Sequence, residues 1–172
     1  MSASRIQVIT ADFFTGSHRF SASVAVGNRR LSDVLNDRLS DYLQLRDIYV
    51  SRIHQPGEIV GTYRLASVVK RDITFVVLPT EQDGLSQEHK YNPFSRSMED
   101  VFITLPSVEI SGKLELLGKF DLKAILAVGT TTFMPLLNSI AVNATYPDVR
   151  FAGPVTLVNK RSVEFFSVLK HG

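Results

Sequence analysis

Three pairs of adjacent basic residues mark this 172-residue chain: Arg29-Arg30, Lys70-Arg71 and Lys160-Arg161. Each falls where the surrounding sequence reads as a turn, so each could present two cationic groups side by side. Such groups hold phosphate oxygens or carboxylates through charge-assisted hydrogen bonds. On a nucleic acid they would neutralise backbone phosphates. The competing reading is that a tight turn needs polar residues for solubility, which Lys and Arg supply. The pairs are the candidate anion- or nucleic-acid-binding residues.

Other chemistry is weakly signalled. The histidines, His18, His54, His89 and His171, do not stand at metal-ligand spacing, and two of them fall in expected loops. No metal is expected. Ser17-His18 could suggest a nucleophile and its base, but no Gly-x-Ser-x-Gly elbow accompanies it. Neither a dinucleotide-binding glycine motif nor a phosphate-binding Gly-Lys-Ser/Thr loop occurs, so no cofactor is expected. Asp33, Asp37, Asp41 and Asp47 would spread over several faces rather than pair for acid–base work. The chain has no cysteine, which excludes disulfides, thiolate metal sites and cysteine nucleophiles. An enzyme is not expected.

The elements that would carry these residues are mostly strands. Apolar residues make up 44% of the chain and charged residues 21%, enough for a core. The net charge of +2 argues against a strongly basic nucleic-acid binder. The start, MSASRIQVIT, lacks the apolar centre of a secretory signal, and no apolar run approaches the roughly 18 residues of a membrane helix. A cytoplasmic protein with no membrane association is expected. Alternation predicts strands over 5–14, 18–26 and 42–53, then 59–69 and 73–78. Leu31, Val34 and Leu35 stand at helical spacing and predict a short helix ended by Asn36. Pro56-Gly57 predicts a turn. The polar stretch 80–104 reads as a linker or long loop, and 80–100 as its most mobile part.

The second half of the sequence reads as a repeat of the first. An offset of 102 lays 16–36 on 118–138 and matches Val26-Gly27 to Val128-Gly129 and Leu35-Asn36 to Leu137-Asn138. An offset of 90 lays 68–78 on 158–168 and matches Lys70-Arg71 to Lys160-Arg161. The expected organisation is a first repeat at 1–79, a linker at 80–104 and a second repeat at 105–172. Five short strands per repeat suit a small, strongly bent sheet closed into a barrel. Two barrels could then pack face to face about a pseudo-twofold. Phe133, Leu136 and Leu137 would plug the second barrel as Leu31, Val34 and Leu35 plug the first.

The stretch GNRRLSDVLND, followed by an apolar strand and VVKRDITFVV, resembles a family of uncharacterised bacterial proteins. These share an Arg-Leu-Ser-Asp-x-Leu-Asn motif and a terminal Val-Asn-Lys strand, matched here by LVNKRSVEFF (157–166). More distantly, VVKRDITFVV resembles the last two strands of Sm-like barrels, whose turn lines an RNA-binding pore in ring-forming members. The resemblance implies a mainly β fold of two tandem Sm- or SH3-like barrels. The expected function is a non-enzymatic interaction or scaffold protein with a protein partner or self-association. The alternative is an Sm-like RNA or nucleic-acid binder using the Lys-Arg turns.

Overall fold

The alternating segments become antiparallel strands of one ten-stranded sheet. The structure, a computed structural model, describes residues 7–84, 96–117, 121–127, 129 and 131–170. The strands are β1 (Gln7–Phe14), β2 (His18–Gly27), β3 (Tyr42–Arg52), β4 (Gln55–Val69) and β5 (Phe75–Leu78). They continue with β6 (Arg96–Leu105), β7 (Val108–Leu117), β8 (Phe133–Asn143), β9 (Arg150–Asn159) and β10 (Phe165–Val168). Short helices α1 (Leu31–Asn36), α2 (Glu81–Gly84) and α3 (Leu122–Leu126) lie between them. Single 3-10 turns, Lys70–Asp72 and Lys160–Ser162, precede β5 and β10. No helix among the described residues is long and apolar enough to cross a membrane.

The strand order is β10-β6-β7-β8-β9-β5-β1-β2-β3-β4. Each half thus runs fifth, first, second, third, fourth. Pair registers also correspond at an offset of 90 residues. Phe13 faces Phe20 as Ile103 faces Ile110, and Phe75 faces Phe14 as Phe165 faces Thr104. In β3 and β8 the offset becomes 91: Tyr42 faces Val69 as Phe133 faces Asn159. Both of these strands carry a residue in the left-handed region, Asp47 at φ 52° and Asn138 at φ 47°. Each coincides with a break in register against the preceding strand. The extra residue shifts the buried phase, from Leu43 and Leu45 to Ile48, and from Met134 and Leu136 to Ser139 and Ala141.

Three expectations are corrected here. The halves are not closed barrels, because β5 is paired to β1 on one side and to β9 on the other, and so is not free to close on its own β4. They do not meet about a pseudo-twofold either. A twofold would pair an edge with its own counterpart, whereas β5 meets β9, which occupies the fourth place in the other half. The linker assigned to 80–104 is also too long. Residues 96–105 form β6, whose Val101, Ile103 and Leu105 are buried at period two. Residues 85–95, in the remainder of that stretch, lie outside the described residues.

The 102-residue offset fails as well. TTTFMPLLNS runs into strand β8, not into a counterpart of α1. Phe133 and Leu136 are buried as strand residues, and Leu137 is partly buried. Pro135 fits there because β7 begins to pair with β8 only at Leu137, so its missing N–H breaks no bond to β7.

The apolar residues form two cores. The first gathers Ile9, Phe13, Val24 and Leu45 with α1 and with Val155 and Leu157 of β9. The second gathers Val101, Ile103, Ile110 and Leu136 with Phe14 and Phe75 from the other half. Strand β5 serves both, since Val76 and Leu78 face one core and Phe75 and Val77 the other. Helix α1 covers the first core with Leu31 and Leu35, 0% and 3% exposed, and Val34 at its margin. Leu35→Ala is expected to cost about 2–5 kcal/mol in urea unfolding, the range for a truncated core leucine. On α3, Leu122 is 40% exposed, and Leu122→Ala is expected to change stability by less than about 0.5 kcal/mol.

Candidate functional site

The basic pairs divide into structural and free groups once their partners are seen. Lys70 is 9% exposed, and its Nζ donates to the carbonyl oxygens of Val34 and Asp37 at 2.8 and 3.0 Å. These carbonyls lie at the end of α1, where a cation is favoured; that of Val34 also accepts from the Asp37 N–H at 3.4 Å. Burial pushes the Lys70 ammonium below its ordinary pKa, with Asp37 pulling it back up. Lys160 repeats the arrangement, donating from Nζ to the Ala127 carbonyl at 3.2 Å beyond α3. Burial lowers its pKa too. Arg29 clamps α1 from outside, with Nη1 on the Asp37 carboxylate at 3.0 Å and Nη2 on the Asp33 carbonyl at 2.8 Å. The Leu39 backbone N–H and Arg29 together hold Asp37 below the usual carboxylate range. Arg30 stands at the N-cap of α1, and its backbone N–H donates to the Asp33 carboxylate at 3.4 Å.

Arg71 and Arg161 are left exposed, and the fold brings them together. Both line a cleft of about 400 Å³ at the junction of the halves, with Arg38, Asp41, Tyr42 and Thr132. Two asparagines build this junction. Asn36 Oδ1 accepts from the backbone N–H groups of Thr132 and Phe133 at 2.9 and 2.8 Å. Asn36 ends α1, as the sequence suggests, and also binds the helix to the start of β8. Asn159 is fully buried. Its Nδ2 donates to the Ile73 and Arg71 carbonyls at 2.9 and 3.3 Å, and its Oδ1 accepts from the Arg161 N–H at 3.0 Å. One side chain thus fixes both basic turns.

The remaining sequence candidates serve turns. Ser17 Oγ lies 2.8 Å from His18 Nδ1, while the His18 backbone N–H donates to Thr15 Oγ1 at 3.2 Å. His54 stacks on Tyr146 at 5.5 Å between ring centroids. Asp33 and Asp37 brace α1. His89 and His171 lie outside the described residues.

A second feature was not visible in the sequence. Where β5 meets β9, Phe75, Val76, Val77 and Leu78 are 0%, 0%, 8% and 0% exposed, and Val155, Thr156, Leu157 and Val158 are 0–1% exposed. The outermost strands, β4 and β10, have no neighbour on their outer sides among the described residues. Leu65 is 54% exposed on β4, and Phe165 is 55% exposed on β10.

Set against known protein families, curated proteins and solved structures, the chain matches none.

Proposed function

We propose that this chain is a non-enzymatic interaction module, built by tandem duplication of a five-stranded unit related to small β-barrels, that recruits partners by adding strands to its open sheet edges. The observation that carries this reading is the β5–β9 junction. It joins the halves edge to edge and leaves the two corresponding outer edges without a neighbour among the described residues. An exposed strand edge presents a row of unpaired N–H and C=O groups and templates further pairing. Shared strand order, shared register and the paired left-handed residues Asp47 and Asn138 support the duplication. Shared capping by Lys70 and Lys160 supports it further.

Site-directed photocrosslinking in the native cells tests the reading. A photoreactive residue in place of Leu65 or Phe165 should form protein adducts, and the same probe at exposed Ile140, on the interior strand β8, should not. Absence of adducts at both edges would remove the interaction reading.

A second reading rests on the cleft. Arg38, Arg71 and Arg161 offer three guanidinium groups from two turns and the end of α1, suited to phosphate oxygens. Nucleic-acid binding there would give salt-sensitive retention of an RNA oligonucleotide. Arg71→Ala with Arg161→Ala would weaken it, while Lys70→Ala would act through stability instead.

A further inference from the structure

The occupant of the open edges can be derived from the junction inside the chain. In sequence position β10 is β5 plus 90, and β4 near its end is β9 minus 90. The internal pairs are Phe75–Val158, Val76–Leu157, Val77–Thr156 and Leu78–Val155. Applying the offsets gives Phe165–Val68, Phe166–Ser67, Ser167–Ala66 and Val168–Leu65. We propose that β10 of one copy of this chain pairs antiparallel with β4 of a second copy in this register. The proposal rests on the interaction reading above and names its partner as the chain itself.

Hydrogen-bond direction supports the register. Lys160 N donates to Thr132 O, towards β8, and Asn159 N donates to Thr74 O, towards β5, both at 2.9 Å. N–H groups alternate sides along a strand, so Leu157 and Val155 also point at β5. Lys70 N likewise donates inward to Asp41 O at 2.9 Å. Val69, Ser67 and Leu65 therefore point outward. On β10, Leu169 N donates to Asp100 O of β6 at 2.9 Å, which leaves Val168 and Phe166 pointing outward. The two open edges thus present donors at the positions that the internal junction uses.

Burial and bulk agree. Val155 and Leu157, paired to β5, are fully buried in the first core, whereas their counterparts Leu65 and Ser67 are exposed. Phe75 is fully buried against β9, whereas Phe165 is 55% exposed. The difference at Gly153 is offset across the pair. A Cβ on Gly153 would meet Val77 Cγ1 at 2.7 Å. The counterpart of Gly153 is Tyr63, and that of Val77 is the smaller Ser167. The Tyr63 ring also lies back over Gly61, 2.7 Å from where a Cβ there would stand, away from residues 65–68.

Because β4 and β10 are different surfaces, the contact is head-to-tail, and an open chain of copies keeps one free edge of each kind until a ring closes. Proline on an outward N–H tests this. It removes that donor but leaves the inward ladder intact. Native mass spectrometry at micromolar concentration should find wild type as an assembly of two or more copies. Ser67→Pro and Val168→Pro should each be monomeric, with circular dichroism unchanged. An equimolar mixture should give a 1:1 dimer and nothing larger, because Ser67→Pro keeps its β10 edge and Val168→Pro keeps its β4 edge. Recovery on mixing also shows that both variants fold. A monomeric wild type, variants of unchanged mass, or a mixture that stays monomeric would each overturn the proposal. If the photocrosslinks then join another protein, the interaction reading stands without self-assembly; if they join nothing, both fall.

Discussion

Phe75→Ala is expected to destabilise the protein by about 3–5 kcal/mol, the range for a phenylalanine removed from a packed core. Phe75 is fully buried and stacks on Phe14, with ring centroids 4.2 Å apart and planes 6° from parallel. Phe14 in turn meets Phe151 of the second half at 4.5 Å. Although β5 belongs to the first half by sequence, Phe75 packs in the second core with Val101, Ile103 and Val158. The cavity would therefore open beneath the second half, and its strands should lose hydrogen-exchange protection along with those of the first. Urea unfolding read at two probes, one in each half, measures this. A loss under about 1 kcal/mol, or separate transitions for the two halves, would mean that β5 does not couple the cores.

Asn159→Ala is expected to cost about 2–4 kcal/mol. The substitution leaves the Ile73 and Arg71 carbonyls and the Arg161 N–H without their partner, and unsatisfied buried groups cost about 1–3 kcal/mol each. Arg71 and Arg161 are exposed, so water can reach part of this set, and the expected loss is less than the full sum. Asn159→Asp keeps the acceptor for Arg161 but loses both donors, so it should not restore stability. Asn36→Ala, which removes the acceptor for Thr132 and Phe133, should give a smaller loss because Asn36 is only partly buried. Chemical denaturation of the three variants decides the order.

Much of the first half was legible because β1, β2 and β3 bury one face and alternate. Phe20 to Val26 and the shift from Leu43 and Leu45 to Ile48 are in the sequence, and the shift is the bulge at Asp47. The turn expected at Pro56-Gly57 is strand instead. The hairpin bends at Ile53 and His54, and Pro56 lies in an edge strand, where a missing N–H is tolerated. In the second half, matched dipeptides misled. Val26-Gly27 and Leu35-Asn36 do not fall at matching places in the two halves, whose strand order and registers correspond at offsets of 90 and 91 instead. β6 was missed because RSMED is polar, although VFITL after it alternates.

The site was legible only in part. The sequence located the Lys-Arg turns, but their partners lie far along the chain. Lys70 reaches carbonyls 33 and 36 residues away, and Asn159 reaches one 88 residues away. Whether a cation faces solvent or caps a helix depends on such contacts. The open edges were not legible at all, since strand order is a property of pairing and local pattern carries no record of it.

The central claim, that the outer edges are binding surfaces equivalent to the internal junction, is tested most directly by amide hydrogen exchange at Leu65 and Ser67. Both N–H groups point away from β3, as those of Val155 and Leu157 point towards β5. At concentrations where the chain is assembled, their exchange should slow to approach that of Val155 and Leu157, and dilution should release it. Rapid exchange at Leu65 and Ser67 at every concentration, with Val155 and Leu157 protected throughout, would contradict the account.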